Sequence, residues 1–253
     1  SANPSVFGQS VSFTATVTPL SGSTAPTGTV QFVVDGSNFG APVSLAACSP
    51  SPNACATSGS TSALTVIGSV HSVSANYTAT GSFTASSGSL SGGQTVNKAS
   101  TNSTVVSSLN PSSYGQSVTL TATVAAVSPG GGTPTGTVDF KDGAAVLASG
   151  VALSGGQATF STSALNATTH SITAVYSGDG NFNTTGTGSS TATALSQVVN
   201  QANLTASIVG NPTKPYDGNA NATLIPGNFS LTGLVGSDSF TINQTVGTYN
   251  SKD

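Results

Sequence analysis

An internal repeat of about 100 residues constrains the fold of this chain more than any other feature of its sequence. The segment NPSVFGQSVSFTATV at residues 3–17 returns as NPSSYGQSVTLTATV at residues 110–124. A unit of that length is the size of a small β-sandwich. The 253-residue chain is therefore predicted to contain successive small domains rather than one large one.

The repeated segment has the alternation of a β-strand. Val11, Phe13, Ala15 and Val17 are separated by Ser and Thr residues, and residues 117–124 repeat the same order of apolar and hydroxyl side chains. A period of two places one face of a strand in a core and the other in water. The Asn-Pro and Gly-Gln pairs before each strand are typical of turns.

The remaining motifs of the repeat also indicate strands. PTGTVQF (26–32) matches PTGTVDF (134–140), and HSVSANY (71–77) matches HSITAVY (170–176). No segment shows an apolar stripe with a helical period, and about seven short strands per repeat are expected. The predicted fold class is all-β, with tandem immunoglobulin-like antiparallel β-sandwiches. An Asp-Gly pair after the first motif predicts a tight hairpin in each repeat, at Asp35-Gly36 and Asp142-Gly143.

Three domains are predicted, at residues 1–98, 99–201 and 202–253. Residues 100–109 form a first strand for the second copy, whereas the first copy has only Ser1 and Ala2 before its Asn-Pro, so its first strand is missing. The third segment, with NPTKPYDG at 211–218, departs from the repeat and looks incomplete.

The first copy carries an insertion of about ten residues around Ala46–Ala56. It contains both cysteines, Cys48 and Cys55, and we predict a disulfide between them that contributes about 2–3 kcal/mol. A disulfide indicates an extracytoplasmic compartment. The alternative interpretation is that the insertion is an added loop that binds a ligand.

Charge is scarce, which excludes several partners. Only 4% of residues are charged, the net charge is −3, and there is no Arg. The chain therefore lacks a basic surface of the kind that binds nucleic acids or acidic membranes. No apolar run is long enough to insert in a membrane. The start at Ser1, without a signal peptide, indicates a mature or cut segment.

These motifs resemble a known family. The patterns NPSxxGQSVTxTATV, PTGTVxFxDG and HSITAVYSGDGNF are similar to bacterial Ig-like repeats, which occur in tandem in large secreted and surface proteins. The segment KPYDGNANATL resembles a YDG-type domain, which often follows such repeats in adhesin-like proteins. The resemblance implies bacterial surface exposure and a role in adhesion or spacing, and it supplies no catalytic residue. The first copy departs from the pattern at Thr80, where the second has Asp179.

The sequence offers no catalytic site. His71 and His170 occupy equivalent places in separate repeats, so each is expected to bond a nearby carbonyl rather than share a dyad or metal. Asp139 and Asp142 are expected on a solvated hairpin. Tyr77 and Tyr176 are candidates for the tyrosine corner of Ig-like sandwiches.

No cofactor is predicted, although three modifications or ligands stay open. Calcium at SGDGNFN (177–183) is one, but this ion usually needs more acidic ligands. An internal Lys–Asn crosslink is the second, and N-linked glycosylation is the third. The candidate lysines are Lys98, Lys141 and Lys214, and the sequons begin at Asn76, Asn102, Asn166, Asn183, Asn203, Asn221, Asn228 and Asn243.

The sequence favours a structural, non-enzymatic protein: an extracellular stalk or filament subunit in which short joints between sandwiches give a semi-rigid rod about 100 Å long. Its expected partners are copies of itself, joined by strand complementation at the open first domain. The alternatives are an adhesin module that binds a glycan or host protein, and a spacer of a secreted enzyme.

Overall fold

The computed structural model describes residues 1–186, 190–210, 213, 215, 217–243 and 245–248. In these residues the regular structure consists of β-strands and one short 3-10 turn, so the predicted all-β fold class is confirmed. Four positions of the NPTKPYDG motif, residues 211, 212, 214 and 216, lie outside the described residues.

The first repeat contains nine strands, two more than the seven predicted, because short strand pairs flank the main ones. They are β1 (Ser5–Val6), β2 (Thr14–Val17), β3 (Thr27–Val34), β4 (Ser37–Ser44), β5 (Ala46–Ala47), β6 (Ala54–Thr57), β7 (Val73–Thr80), β8 (Ser86–Ser89) and β9 (Val96–Asn97).

These strands form the two sheets of a sandwich. One sheet has the order β2-β6-β5 and the other β4-β3-β7-β8. The first and last strands, β1 and β9, pair in parallel, which the antiparallel prediction did not include. Period-two alternation places apolar side chains between the sheets, and the buried cluster contains Val11, Phe13, Val30, Phe32, Ala56, Val73 and Tyr77.

The second repeat has a corresponding set of strands. They are β10 (Thr101–Ser107), β11 (Ser112–Ser113), β12 (Val118–Ala126), β13 (Thr137–Asp142), β14 (Ala145–Ala152), β15 (Gln157–Thr162), β16 (Thr169–Tyr176), β17 (Thr191–Ala192) and β18 (Leu195–Asn200). Their sheets have the orders β15-β12-β10-β17 and β11-β18-β16-β13-β14. The short strand β11 pairs in parallel with β18, as β1 does with β9.

The strand at the end of the opening motif (residues 3–17 and 110–124) differs between the two copies. In the second it is continuous as β12, whereas in the first only Thr14–Val17 is regular. The irregularity arises at Phe13, whose N–H donates to the Ser58 side chain (2.9 Å) instead of to a backbone carbonyl.

Both predicted hairpins are present. In the first repeat Asp35 and Gly36 are the two loop residues, both with positive φ (49° and 76°). In the second repeat Asp142 still pairs with Ala145, so the loop lies one residue later, at Gly143 and Ala144. The one-residue offset follows from the shorter link between Phe140 and its Asp-Gly pair.

The described residues of the third segment form two small antiparallel sheets. They are built from β19 (Thr205–Ile208), β20 (Asn221–Thr223), β21 (Phe229–Thr232) and β22 (Val246–Thr248), with the 3-10 turn at Pro226–Asn228. β19 pairs with β21, and β20 with β22. Only Ala222 and Leu224 are buried hydrophobic residues among these described positions.

Two compact units divide the chain, and their boundary does not follow the sequence repeat. The first comprises Ser1–Val106, Thr121–Thr159 and Ile172–Leu195, and the second comprises Ser107–Leu120, Phe160–Ser171 and Ser196–Asp253. The first unit thus includes the first repeat together with one part of the second.

Candidate functional site

The Asn of the opening motif joins the start of each repeat to its end. Asn3 donates from Nδ2 to the Gly93 carbonyl (2.7 Å), and its Oδ1 accepts the Thr95 N–H (3.0 Å). Asn110 makes the equivalent bonds to the Ser196 carbonyl (2.7 Å) and the Val198 N–H (2.9 Å). In both repeats, the asparagine of this motif therefore holds the first segment of the sandwich against the last.

A buried glutamine near the end of each repeat completes this closure. Gln94 donates from Nε2 to the carbonyl of Ala2 (2.9 Å) and to Ser5 Oγ (3.2 Å). Gln197 makes the same bonds with Leu109 (3.0 Å) and Ser112 (3.3 Å). The sequence analysis gave these glutamines no role, although the matching QTVNKA and QVVNQA segments contain the signal.

The tyrosines occupy the predicted corner positions. The Tyr77 hydroxyl donates to the Thr27 carbonyl and the Tyr176 hydroxyl to the Thr135 carbonyl, each at 2.6 Å. Burial, with the nearby negative charge of Asp179, raises the pKa of Tyr176. The hydroxyl stays protonated and fixes the start of the PTGT motif.

Asp179 holds the SGDGNF turn of the second repeat. Its Oδ1 accepts the N–H groups of Asn181 (2.8 Å) and Phe182 (2.9 Å). Its Oδ2 accepts the N–H (3.0 Å) and the hydroxyl (2.6 Å) of Thr135. Burial alone would raise the pKa of Asp179, but the four donors together hold that pKa below its ordinary value.

The first repeat lacks this carboxylate. The hydroxyl of its counterpart, Thr80, donates to Thr27 Oγ1 (3.0 Å), and Thr27 Oγ1 donates to the Thr80 carbonyl (3.1 Å). Both carboxylate oxygens of Asp179 accept hydrogen bonds from protein groups, so the carboxylate stabilises the turn. Among the described residues, no three His, Cys, Asp or Glu side chains come together as a metal site.

The turn that Asp179 supports packs against the first repeat, and both belong to the first compact unit. The Phe7 and Phe182 rings meet edge to face, with centroids 5.3 Å apart and an interplanar angle of 84°. Ala99, fully buried, donates its N–H to the Asn181 carbonyl and accepts the Asn183 N–H, each at 2.9 Å. We call these contacts, with those of Gly8 described next, the joint.

Gly8 brings two backbones together in the joint. The Gly131 N–H donates to the Phe7 carbonyl (3.1 Å). Gly8 has a φ of +79°, and a Cβ placed on it would overlap the backbone of Gly131. Only glycine combines an unstrained positive φ with the absence of a Cβ atom.

The same motif position makes a close contact in the second unit. Gly115, the counterpart of Gly8, also has a positive φ (+78°), and a Cβ on it would overlap the Val235 side chain. In both repeats, the aromatic-Gly pair of the opening motif therefore packs against a later part of the chain. The pair is Phe7-Gly8 in the first repeat and Tyr114-Gly115 in the second.

The histidines bond nearby carbonyls, as predicted. His71 lies with Nε2 2.9 Å from the Thr65 carbonyl, and His170 with Nε2 2.9 Å from that of Asn166. His71 also pairs through Nδ1 with Asp35 Oδ2 (2.7 Å). Burial opposes the charge of His71, but its bonds to Asp35 and Thr65 raise the pKa above the ordinary value, while the bond from His71 lowers the pKa of Asp35.

This pair predicts a pH optimum for the stability of the first repeat, between about pH 4 and 6.5. The pKa of Asp35 lies below 3.8, so its stabilisation is lost as the pH falls through that lowered pKa. The pKa of His71 lies above 6.5, so its stabilisation is full below 6.5 and is lost as the pH rises through the raised pKa. Because half of the Asp35 side chain is exposed, we expect a change of about 1 kcal/mol or less.

Urea unfolding at a series of pH values, with His71→Gln as the comparison, checks this expectation. The variant should lose the decline in stability above pH 6.5, whose lower bound is the ordinary pKa of His71. An unchanged decline in the variant would contradict it.

The inserted segment of the first repeat is a hairpin, β5–β6, closed by a disulfide between Cys48 and Cys55. The Cys48 N–H also donates to the Asn53 carbonyl (3.1 Å). β6 pairs with β2, so the bridge supports the sheet that contains β2.

Two of the remaining candidates bond backbone groups. Asp139 accepts the Gly150 N–H (2.8 Å) across its hairpin. Lys98 donates from Nζ to the backbone carbonyl of Asp179, while Lys214 lies outside the described residues. No helix in the described part of the chain is long and apolar enough to cross a membrane.

Solved structures with a similar fold come from several sources. The full Ig1–Ig3 ectodomain of mouse nectin-like molecule 4 matches with 13% identity over 79% of this chain, which spans 62% of that ectodomain (TM-score 0.34). A segment of titin matches with 10% identity over 88% of this chain and 71% of its own (TM-score 0.45). The Yersinia pseudotuberculosis adhesin InvE matches with 16% identity over 89% and 66% (TM-score 0.30).

No curated protein matches the sequence. The YDG domain family matches residues 200–253. The bacterial Ig-like domain (group 3) family matches residues 1–97 and again residues 104–200. Since these matches cover most of the chain, the protein belongs to the bacterial Ig-like domain (group 3) family.

Proposed function

We propose that this chain is a structural module of a bacterial extracellular protein, a stalk or filament subunit whose task is to hold distance and not to catalyse a reaction. Its modules are residues 1–98, 99–201 and 202–253. The observation that carries the proposal is the joint, because a stalk needs successive modules that keep a fixed orientation.

Three kinds of contact support rigidity at the joint. The Phe7 and Phe182 rings contribute apolar packing, and edge-to-face pairs of this kind add about 0.5–1.5 kcal/mol beyond burial. Ala99, at the start of the second module, pairs with Asn181 and Asn183 and so fixes the turn that carries Phe182. Gly8 contributes a close backbone contact, because a Cβ placed on it would overlap the backbone of Gly131.

The bonding of the polar side chains and the disulfide support the same proposal. The two histidines bond carbonyls, and Asp179 accepts protein donors, so these side chains serve the fold. The Cys48–Cys55 disulfide supports a location outside the cytoplasm.

The distance distribution between two spin labels tests the proposal. Labels on introduced cysteines at Asn38 and Val146, both exposed, report the orientation of the first repeat relative to the second. A stalk requires a single narrow distance peak in the full chain. The native cysteines are bonded to each other and do not react with the label.

A broad distribution in the wild-type chain would overturn the stalk proposal, since it would mean freely rotating domains. Two labels within one repeat, at Asn38 and Asn76, give the width expected for a rigid body. Both positions lie on exposed strand residues.

A further inference from the structure

A loop of the first repeat, residues 65–69, makes a further contact beside the joint. The Val66 N–H donates to Asn181 Oδ1 (3.4 Å) in the turn that carries Phe182. Ile67 Cδ1 lies 3.5 Å from the place that a Cβ on Gly180 would occupy. Loop and turn belong to the same compact unit. The contact is small, since Ile67 is 76% exposed, so it adds to the joint without replacing its other contacts.

His71 holds the 65–69 loop in place. Its Nε2 lies 2.9 Å from the Thr65 carbonyl, and the Thr65 hydroxyl donates to the Ile67 carbonyl (2.6 Å). At the other end of the loop, Ser69 Oγ accepts the Val96 N–H (2.8 Å). The ring therefore fixes the first residue of the loop, directly before the contact with the second repeat.

Both ring nitrogens of His71 face oxygen acceptors. Nδ1 lies 2.7 Å from Asp35 Oδ2, and Nε2 faces the Thr65 carbonyl. An ionised carboxylate and a carbonyl oxygen only accept hydrogen bonds, and a neutral imidazole carries a single N–H. The geometry therefore matches the protonated ring, in which both nitrogens donate.

Loss of the proton should break the bond to the loop and keep the bond to Asp35. The carboxylate of Asp35 is fixed by a second bond, from the Ser72 N–H to Oδ1 (2.9 Å), and its negative charge favours an N–H at Nδ1 of His71. The neutral ring then presents the lone pair of Nε2 to the Thr65 carbonyl, and two acceptors repel each other. Deprotonation therefore acts on the side of the ring that supports the loop.

Asp35 is the charged group that faces the ring. The other segments near His71, residues 64–70, 72–74 and 89–94, contain no charged side chain. Burial opposes the charge of His71, but the bonds to Asp35 and Thr65 raise its pKa above the ordinary value of 6.5. The ring therefore keeps its proton at pH 6.5 and loses it as the pH rises through the raised value.

We propose that His71 is a proton switch that sets how firmly the first repeat is held to the second. With the ring charged, the 65–69 loop stays against the turn of the second repeat. With the ring neutral, the loop is released, while the ring pair and the glycine contact of the joint remain. This inference rests on the proposed stalk and names a regulation of its joint: the stalk is stiffer in a mildly acidic medium than in an alkaline one.

Spin-label distances between Asn38 and Val146 in the full chain, recorded from about pH 5 to 9, test the switch. We expect a narrow peak at the acidic end and a broader single peak at the alkaline end. The midpoint should coincide with the titration of the His71 ring protons in NMR spectra. Labels at Asn38 and Asn76, which report on the first repeat alone, should show no such change.

Amide exchange at Val66 reports the release of the loop directly. After correction for the intrinsic pH dependence of exchange, Val66 should exchange about two- to tenfold faster with the neutral ring than with the charged one. The Leu45 N–H, which donates to the Gly28 carbonyl (3.0 Å) in the same repeat, is the control. A step of equal size at Leu45 would mean that the whole repeat loosens, and would overturn a local switch.

His71→Gln should abolish the pH response of the distance peak, whereas His170→Gln, at the equivalent position of the second repeat, should keep it. The wild-type titration and Val66 exchange decide the question even where a variant fails to fold. A peak that stays narrow while His71 titrates overturns the switch and leaves the stalk standing. A broad distribution at every pH overturns the stalk, and the switch with it.

Discussion

Gly8→Ala is expected to cost about 3 kcal/mol of unfolding free energy and to open the joint between the repeats. The residue has a φ of +79°, and the added Cβ would overlap the backbone of Gly131. Relief of that overlap separates Phe7 from Phe182 and breaks the bond from the Gly131 N–H to the Phe7 carbonyl. Denaturant unfolding gives the loss of stability, and faster amide exchange at Gly131 locates it.

Gly22→Ala separates backbone strain from steric overlap. Gly22 has almost the same φ (+84°), but no atom lies within 4 Å of an added Cβ. This control should cost about 1 kcal/mol and leave the exchange of Gly131 unchanged. Equal losses for the two variants would show that strain alone acts, and that Gly8 has no part in the joint.

Asp179→Ala is expected to lower the stability of the second repeat by about 2–4 kcal/mol. The change removes the acceptor of four hydrogen bonds, from Thr135, Asn181 and Phe182. Because Phe182 belongs to the joint, the spin-label distance between the repeats should broaden as well. Urea unfolding and the distance distribution measure the two effects.

The pH dependence of the same variant provides a second check. The pKa of Asp179 is lowered below 3.8, so its stabilisation is present above pH 3.8 and is lost as the pH falls through the lowered value. Wild type and Asp179→Ala should therefore converge in stability at low pH. Asp179→Asn keeps one carbonyl acceptor and should lose less. A constant difference between wild type and Asp179→Ala at all pH values would contradict the role given to the carboxylate.

The strands and their inward faces could be predicted because the signal is local. Period-two alternation identified the buried positions of β12, and the Asp-Gly pairs identified both hairpins. The family resemblance then followed from motifs in their order. The same local signal misjudged β2, whose regular part is shortened by the bond from Phe13 to Ser58, a residue far along the chain.

The joint could not be predicted, because its partners are distant in sequence and unremarkable in type. Phe182 is buried (1% exposed), as a core residue would be, but its ring also packs against Phe7. Gly8 was recognised as part of a turn, yet its approach to Gly131 depends on how two repeats meet. Calcium stays open at the segment that contains Asp179, and the sequence could not show that Thr135, 44 positions away, donates to this carboxylate.

The parallel pairing of β1 with β9, and of β11 with β18, determines how each repeat responds to mechanical force. A pull on the two ends of a repeat draws these paired strands along each other, so their hydrogen bonds carry the load together instead of opening one after another. Asn3 and Gln94, which bond across the same pair of ends, share that load. Tension on an array of such repeats therefore meets its resistance where each repeat begins and ends, ahead of the hydrophobic core.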